Sequence, residues 1–471
     1  MGKIKVGILT FSDGRSYVHE DLLPVTQRYQ EDLVLALENT GQVEVFAGTC
    51  MINSNTAAKE EASRLRDMGV ELTIFNYAIW CYPQYSAVAG NFAPGPYLLF
   101  CNLHPSECGM VGMLAAAGTM DQLGYLYERI WGSISDTAVL ESVMRFIKAA
   151  HAVKSLRGQT YGNFGGRPMG MYTAVANLDA WQSRFGIDVE DIEQSDIIRY
   201  GEYEDKKRIE NARKWLEAHV GRIAYDGVGL TPEKLDLQIR SYYGLRRLID
   251  ERGLDFIGIK AHGDLTETFV TMDVAEAFLN DPYDWDGPHE PIVAATESDM
   301  DGALTMQLMK LITGQPVLFA DVRHYDRETG LWFFSNSGTH ATFFAGRSYD
   351  PVVNLKNVVF YPERNYYPAG GASVQHFAAA GAMTFARLAR KRDRYVLTVL
   401  PGEIVSLPPV QAQSFADTVT PEWPVAFAKL QTPAERFLSE YPCNHIHGIY
   451  GEWTHELKLI AKLLNLDLQI L

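Results

Sequence analysis

Hydrophobic positions in the first third of the chain fall into short runs separated by stretches with helical spacing. Residues 6–11, 43–47, 72–79 and 97–101 are apolar or β-branched and short enough to be buried strands. Residues 21–38, 56–68 and 109–123 repeat their apolar positions every three or four places. In 21–38, Leu22, Val25, Leu33, Ala36 and Leu37 share one face, and Gly41 follows as a stop signal. Continuous apolar strands alternating with helices predict a parallel sheet covered on both faces. Residues 157–170 interrupt the pattern with five glycines and a proline, which predicts a linker or a close-approach loop.

A second alternating set follows, with helices predicted at 202–218, 232–250, 274–279 and 301–312 and strands at 256–260, 291–296 and 317–320. Beyond Arg323 the pattern changes to strands at 332–334, 358–361, 395–399 and 403–407, with Pro and Gly between them, and one closing helix at 454–464. The expected fold is therefore α/β: two successive Rossmann-like parallel α/β domains, 1–156 and 157–320, followed by a mostly β, barrel-like domain, 321–471.

Composition narrows the class. The 471 residues are 47% hydrophobic and 21% charged, with a formal net charge of −16. Such a polyanion is repelled by nucleic-acid phosphates and anionic membrane surfaces, which argues against both as partners. No apolar run approaches the roughly 18 residues of a membrane span. Five sparse cysteines make no disulfide framework and fit a reducing, cytoplasmic setting. The opening MGKIKVGILTFSDGR reads as a strand and a polar turn, not a secretory leader. No G-x-G-x-x-G follows Phe11, so the first α/β unit lacks the usual dinucleotide cradle, and P-loop and G-x-S-x-G motifs are absent as well.

Two features carry chemistry. Glu297 (in ATESD) and Asp321 (in FADVR) each end a predicted strand, with one helix between them. If the two strands are parallel neighbours, both carboxylates reach the rim where ligands bind, able to hold a divalent cation or to exchange a proton. The competing reading makes Glu297 a helix cap and Asp321 an ion-pair partner of Arg323. The second feature is NHIHGIYGEW, where His445 and His447 would share one face of an extended segment. Imidazole beside carboxylates suits Mn²⁺, Fe²⁺ or Zn²⁺. His340, in SNSGTH, is a further candidate for a ligand or a substrate contact. Cys101 and Cys108 around His104 match no usual zinc spacing, and His289-Glu290 lacks a zincin's second histidine.

Taken together, GIKAHGDLTETF, DWDGPHEPIVAATESD and FADVR resemble the second domain of L-fucose isomerases. The chain order of Glu, Asp and a late Asn-His matches that family too, and Asp13-Gly14-Arg15 resembles its N-terminal substrate motif. The chain is similar in length to the related L-arabinose isomerases, but Asp321 is the fucose-type choice. The resemblance implies a cytoplasmic aldose–ketose isomerase using Mn²⁺ or another divalent cation on a free monosaccharide, assembled as a homo-oligomer, hexameric in the family. It implies Glu297, Asp321 and His445 as metal ligands, with Glu297 and Asp321 also catalytic and Asn444 beside them. Arg15, Trp80, His262, His340, Trp423 and Asn444 would contact substrate, Arg15 and Trp80 in a neighbouring subunit's site. His262 stands where the family tends to carry an amide. In domain terms, 1–156 would recognise substrate, 157–320 would carry Glu297 with Asp321 at its end, and 321–471 would carry His445. A non-catalytic sugar-binding or sensor protein, clamping a sugar with aromatics such as Trp80, Tyr82 and Tyr85, and a metal-dependent hydrolase, whose metal-bound hydroxide would need the same ligands, are the alternatives.

Overall fold

The computed structural model describes residues 2–337, 340–418 and 422–471. They form two compact units, one of residues 1–155 with 455–465 and one of 156–454 with 466–471. The first unit is built on a five-stranded parallel sheet. Its spatial order is Val43–Ala47, Ile4–Phe11, Leu72–Tyr77, Tyr97–Cys101 and Tyr127–Trp131. The three helices expected here occur as Ser16–Glu38, Asn55–Asp67 and Gly109–Gln122. Their apolar faces pack with the sheet, as Leu65, Ala62 and Met113 do against Phe75 and Tyr77. The helix Thr137–Leu156 completes the first α/β segment, and the closing helix Thr454–Leu463 lies almost wholly in this unit.

The second unit combines a four-stranded parallel sheet with an antiparallel barrel. The parallel sheet runs Ala294–Thr296, Phe256–Ile259, Thr160–Phe164, Asp188–Ile192 in space. Thr160–Phe164 lies inside the glycine-rich stretch expected to be a linker. Gly162 is there because a Cβ would come 2.6 Å from the Leu254 side chain, so the residue marks tight packing within a strand. The long helices Pro232–Arg252 and Met300–Thr313 end at Gly253 and Gly314, both left-handed.

In the barrel, Gly381–Lys391, His445–Tyr450, Leu318–Asp326, Leu331–Ser335, Val425–Leu430 and Arg394–Ile404 are neighbours in that order. The last of them pairs back onto the first, which closes a six-stranded ring. Asp467–Ile470 adds in parallel to Arg394–Ile404. Leu318, Ala320, Phe334, Phe385, Leu400 and Ala426 fill one apolar cluster of this region. The expected α/β class with a mostly β final third is what the chain adopts. No helix among the described residues is long and apolar enough to cross a membrane.

One expectation about pairing is corrected. Leu318–Asp326 does not join Ala294–Thr296 in a parallel sheet through the intervening helix. It pairs antiparallel with His445–Tyr450 and Leu331–Ser335 as a barrel strand. An apolar run specifies a buried strand without specifying its partner, and here the barrel claims it.

Candidate metal centre

Glu297 leaves the edge strand Ala294–Thr296 through two consecutive left-handed residues, Glu297 at φ 57° and Ser298 at φ 44°. That conformation is unfavourable for residues with a Cβ and persists only where the surroundings impose it. Here the Ser298 N–H donates to Ile259 O at 2.9 Å and its hydroxyl to Phe164 O at 3.2 Å. Asp299 then caps the helix Met300–Thr313 by accepting from the Gly302 N–H at 2.9 Å. The cap is thus Asp299, which leaves the Glu297 carboxylate free to face His445, with Oε2 3.1 Å from Nε2.

Asp321 and His445 arrive from the barrel. They are directly opposed across the antiparallel pair Leu318–Asp326 and His445–Tyr450, so register alone places them together. Asp321 Oδ1 lies 3.5 Å from His445 Nε2. The same carboxylate accepts from the Asn444 and Asn336 amides at 3.0 and 2.8 Å. A register shift between Val322 and His324 follows at once, a bulge beside the site.

The ligand atoms of Glu297, Asp321 and His445 all lie within 4.8 Å of one another. Two carboxylate oxygens and an imidazole nitrogen suit a borderline divalent cation such as Mn²⁺, Fe²⁺ or Zn²⁺, so the donor set fits. The imidazole is oriented from behind. His445 Nδ1 is 2.6 Å from Asp299 Oδ2, and the buried Arg387 guanidinium forks onto Asp299 at 2.5 and 3.0 Å. This carboxylate–histidine arrangement fixes the tautomer that turns Nε2 toward Glu297 and Asp321.

The charges are divided accordingly. Burial favours neutral Asp299, but Arg387 and then His445 outweigh it and hold the carboxyl well below its ordinary range. Burial likewise raises Glu297, yet the hydrogen bond from His445 brings the net shift downward. Asp321 moves the other way, because burial and the nearby Glu297 charge exceed the pull of His445 and Asn444. Burial alone would lower His445, but its hydrogen bonds with Asp299 and Glu297 outweigh that and shift the imidazole well above its ordinary range.

A cavity of about 390 Å³ opens beside the triad, with Glu297 and Asp321 in its wall. His262, Trp423 and Asn444 line it with Glu297 and Asp321, and Met169, Met171, Val322, Arg323 and Tyr366 complete the wall. His262 stacks on Tyr367 with ring centres 5.0 Å apart and lies 3.7 Å from Glu297. His340 is not among the lining residues: it is fully buried, its ring 5.9 Å from that of His376. His447 points its Nε2 to Arg387 at 3.1 Å and is outside the triad. Arg15 and Trp80 belong to the first unit. There Arg15 pairs with buried Asp13, and Gly14 is needed because a Cβ would meet the Tyr85 hydroxyl at 2.3 Å.

Sequence reasoning missed Asp299, Arg387 and Asn336. Asp299 stands in the quoted ATESD segment and carried a signal. Arg387 lies within a long strand where nothing local separates a buried arginine from a solvated one.

The same chain matches three domain models along its length. These are "L-fucose isomerase, first N-terminal domain" at residues 3–158, the second N-terminal domain at 254–314, and the C-terminal domain at 334–471. The chain belongs to the L-fucose isomerase family. Among curated members of that family, the L-fucose isomerase of Vibrio vulnificus is 24% identical, over 98% of this chain and 92% of its own. That of Streptococcus pneumoniae is 26% identical over 99% and 93%, and that of Bacteroides thetaiotaomicron 25% over 98% and 92%. As a member of the L-fucose isomerase family, the chain is an enzyme of the aldose–ketose isomerase class, an intramolecular oxidoreductase.

Proposed function

We propose that the protein is a metal-dependent isomerase of a free aldose of the L-fucose/D-arabinose or L-arabinose type, working through an enediol. The observation that supports this most is the convergence of Glu297, Asp321 and His445, from a parallel sheet and a barrel, to within 4.8 Å of one another beside a cavity that Glu297 and Asp321 line. These three would hold the cation, Mn²⁺ in our reading. When bound, the ion supplies Lewis acidity toward the sugar's carbonyl and hydroxyl oxygens.

The remaining work falls to side chains. Moving the carbonyl from C1 to C2 requires a proton to leave C2 and one to reach C1, and Glu297 and Asp321 face the cavity as the acid/base pair. Their opposite inclinations, one toward the carboxylate and one toward the acid, suit that division. Asn444 and Asn336 hydrogen-bond Asp321, while Trp423, Asn444 and His262, which line the cavity, would contact the sugar. Arg15 and Trp80 are proposed as sugar contacts for a neighbouring subunit of a homo-oligomer, hexameric as the resemblance implies. Cytoplasmic placement belongs to this reading and is supported by five free cysteines.

The test is ketose formation from a panel of free pentoses and 6-deoxyhexoses with Mn²⁺, repeated after chelation. An isomerase makes ketose only with the ion. A binder shows metal-independent affinity and no ketose, and a hydrolase leaves every free sugar unchanged; either result sinks the proposal.

A further inference from the structure

One wall of the cavity is held from behind by acids that the isomerase reading does not use. Trp423 lines the cavity just before the strand Val425–Leu430, and its indole N–H donates to Glu363 Oε1 at 2.7 Å. Glu363 follows the strand Val359–Pro362 and is tied down by its own N–H, which donates to Gly371 O. Its carboxyl interacts electrostatically with that of Asp273, the first residue of the helix Asp273–Asn280. The Thr271 hydroxyl donates to Asp273 Oδ1.

Glu363 Oε2 and Asp273 Oδ2 are both buried and receive no donor among the described residues. Among the described residues, no Lys, Arg or His side chain is an ion-pair partner of either acid. Two interacting buried carboxylates without a countercharge cannot both ionise, so they share one proton. Burial accordingly pushes both above the ordinary carboxylate range.

We propose that the Asp273–Glu363 pair is a positioning device for Trp423, fixing the indole as the platform on which the sugar ring stacks. This rests on reading the cavity as a monosaccharide site. Whichever acid carries the shared proton, Glu363 Oε1 is available to accept the indole N–H, so the ring keeps its anchor. The ring is further bounded by Tyr366 and Tyr367, with centres 6.0 and 6.1 Å away, and by the Arg323 guanidinium 5.2 Å from its own centre. An indole donating to a partly anionic acceptor has a more electron-rich face, which favours the C–H groups of a sugar. Glu363 and Asp273 act through Trp423 and touch no reacting atom.

The test compares Glu363→Ala, Glu363→Gln and Trp423→Phe in the full chain. Glu363→Ala is expected to raise KM for the isomerised sugar by about tenfold, with kcat changed less than about threefold, because a buried N–H is left unpaired. Glu363→Gln can donate to Asp273 and still accept the indole, so it restores KM to within about twofold of wild type. Trp423→Phe reproduces the KM rise, and adding Glu363→Ala to it has little further effect, since both remove one interaction.

A second readout needs no turnover. The Trp423 indole N–H resonance, assigned by its absence from Trp423→Phe, should resist solvent exchange in wild type and Glu363→Gln and exchange freely in Glu363→Ala. Should Glu363→Ala fail to fold, the wild-type resonance and the Trp423→Phe kinetics decide. An unchanged KM in Trp423→Phe, or an unprotected Trp423 N–H in wild type, overturns the proposal. If wild type isomerises no sugar, the proposed function fails by itself, and the exchange data still decide whether Glu363 anchors the indole.

Discussion

Two groups of acids are buried in the second unit, and their surroundings treat them oppositely. Glu297, Asp299 and Asp321 surround His445 and Arg387, whereas among the described residues no cationic side chain is an ion-pair partner of Asp273, Glu276 or Glu363. In the first group, paired cations offset desolvation for Asp299 and Glu297, which stay ionised. In the second, desolvation outweighs the hydrogen bonds from Thr271, Thr296 and Trp423, so all three carboxyls shift upward, toward the protonated form. The comparison teaches that burial alone does not make a cation site. The proposed cation site also needs a countercharge that keeps carboxylates ionised, and Arg387 provides it for Asp299 without facing the cavity.

The contrast breaks most visibly at the carboxylates that face the cavity. Glu297→Gln and Asp321→Asn should each lower turnover at least about 10²–10⁴-fold on a sugar that wild type isomerises, because acid/base catalysis and ion retention fail together. Near-normal turnover in either variant would remove it from the mechanism. Behind them, Asp299→Asn should weaken Mn²⁺ binding by about 10–100-fold, since His445 loses its orienting carboxylate. It should also lower stability by about 3–5 kcal/mol, because Arg387 becomes a buried charge without its partner. Metal titration and chemical denaturation read the two effects separately.

The second group should respond much less and with the opposite pH dependence. Burial raises the Glu276 carboxyl well above its ordinary 4.5, with the nearby Asp273 adding to the shift. A group whose folded-state pKa is raised favours folding while both states are protonated. That contribution is lost as pH rises, because the unfolded chain ionises first. Glu276→Gln should therefore match wild type near about pH 4.5 and be the more stable of the two near about pH 8, by denaturation midpoints. A variant that loses stability more as pH rises would show that Glu276 is ionised in the folded chain.

Much of this architecture was legible in the chain. The first four parallel strands and their helices follow from apolar spacing, and Glu297, Asp321 and His445 were nominated from ATESD, FADVR and NHIHGIYGEW. The route by which they meet was not legible. Spacing suggested parallel neighbours, whereas Asp321 meets His445 by antiparallel register and Glu297 reaches them through a left-handed turn. Partner choice is a tertiary property that a single run of apolar residues does not encode. Gly162 misled for a related reason, since a glycine admitted for packing looks the same in sequence as one admitted for a bend. Arg387 stayed hidden because its importance comes from Asp299, 88 positions away.

The most direct measurement is a Mn²⁺ titration of wild type beside Glu297→Gln, Asp321→Asn and His445→Asn, with ketose formation followed in the same samples. We expect one ion per chain in wild type, much weaker binding in each variant, and ketose production that rises with occupancy and stops on chelation. Equal Mn²⁺ binding by all four proteins, or undiminished ketose production after the metal is stripped, would contradict the account.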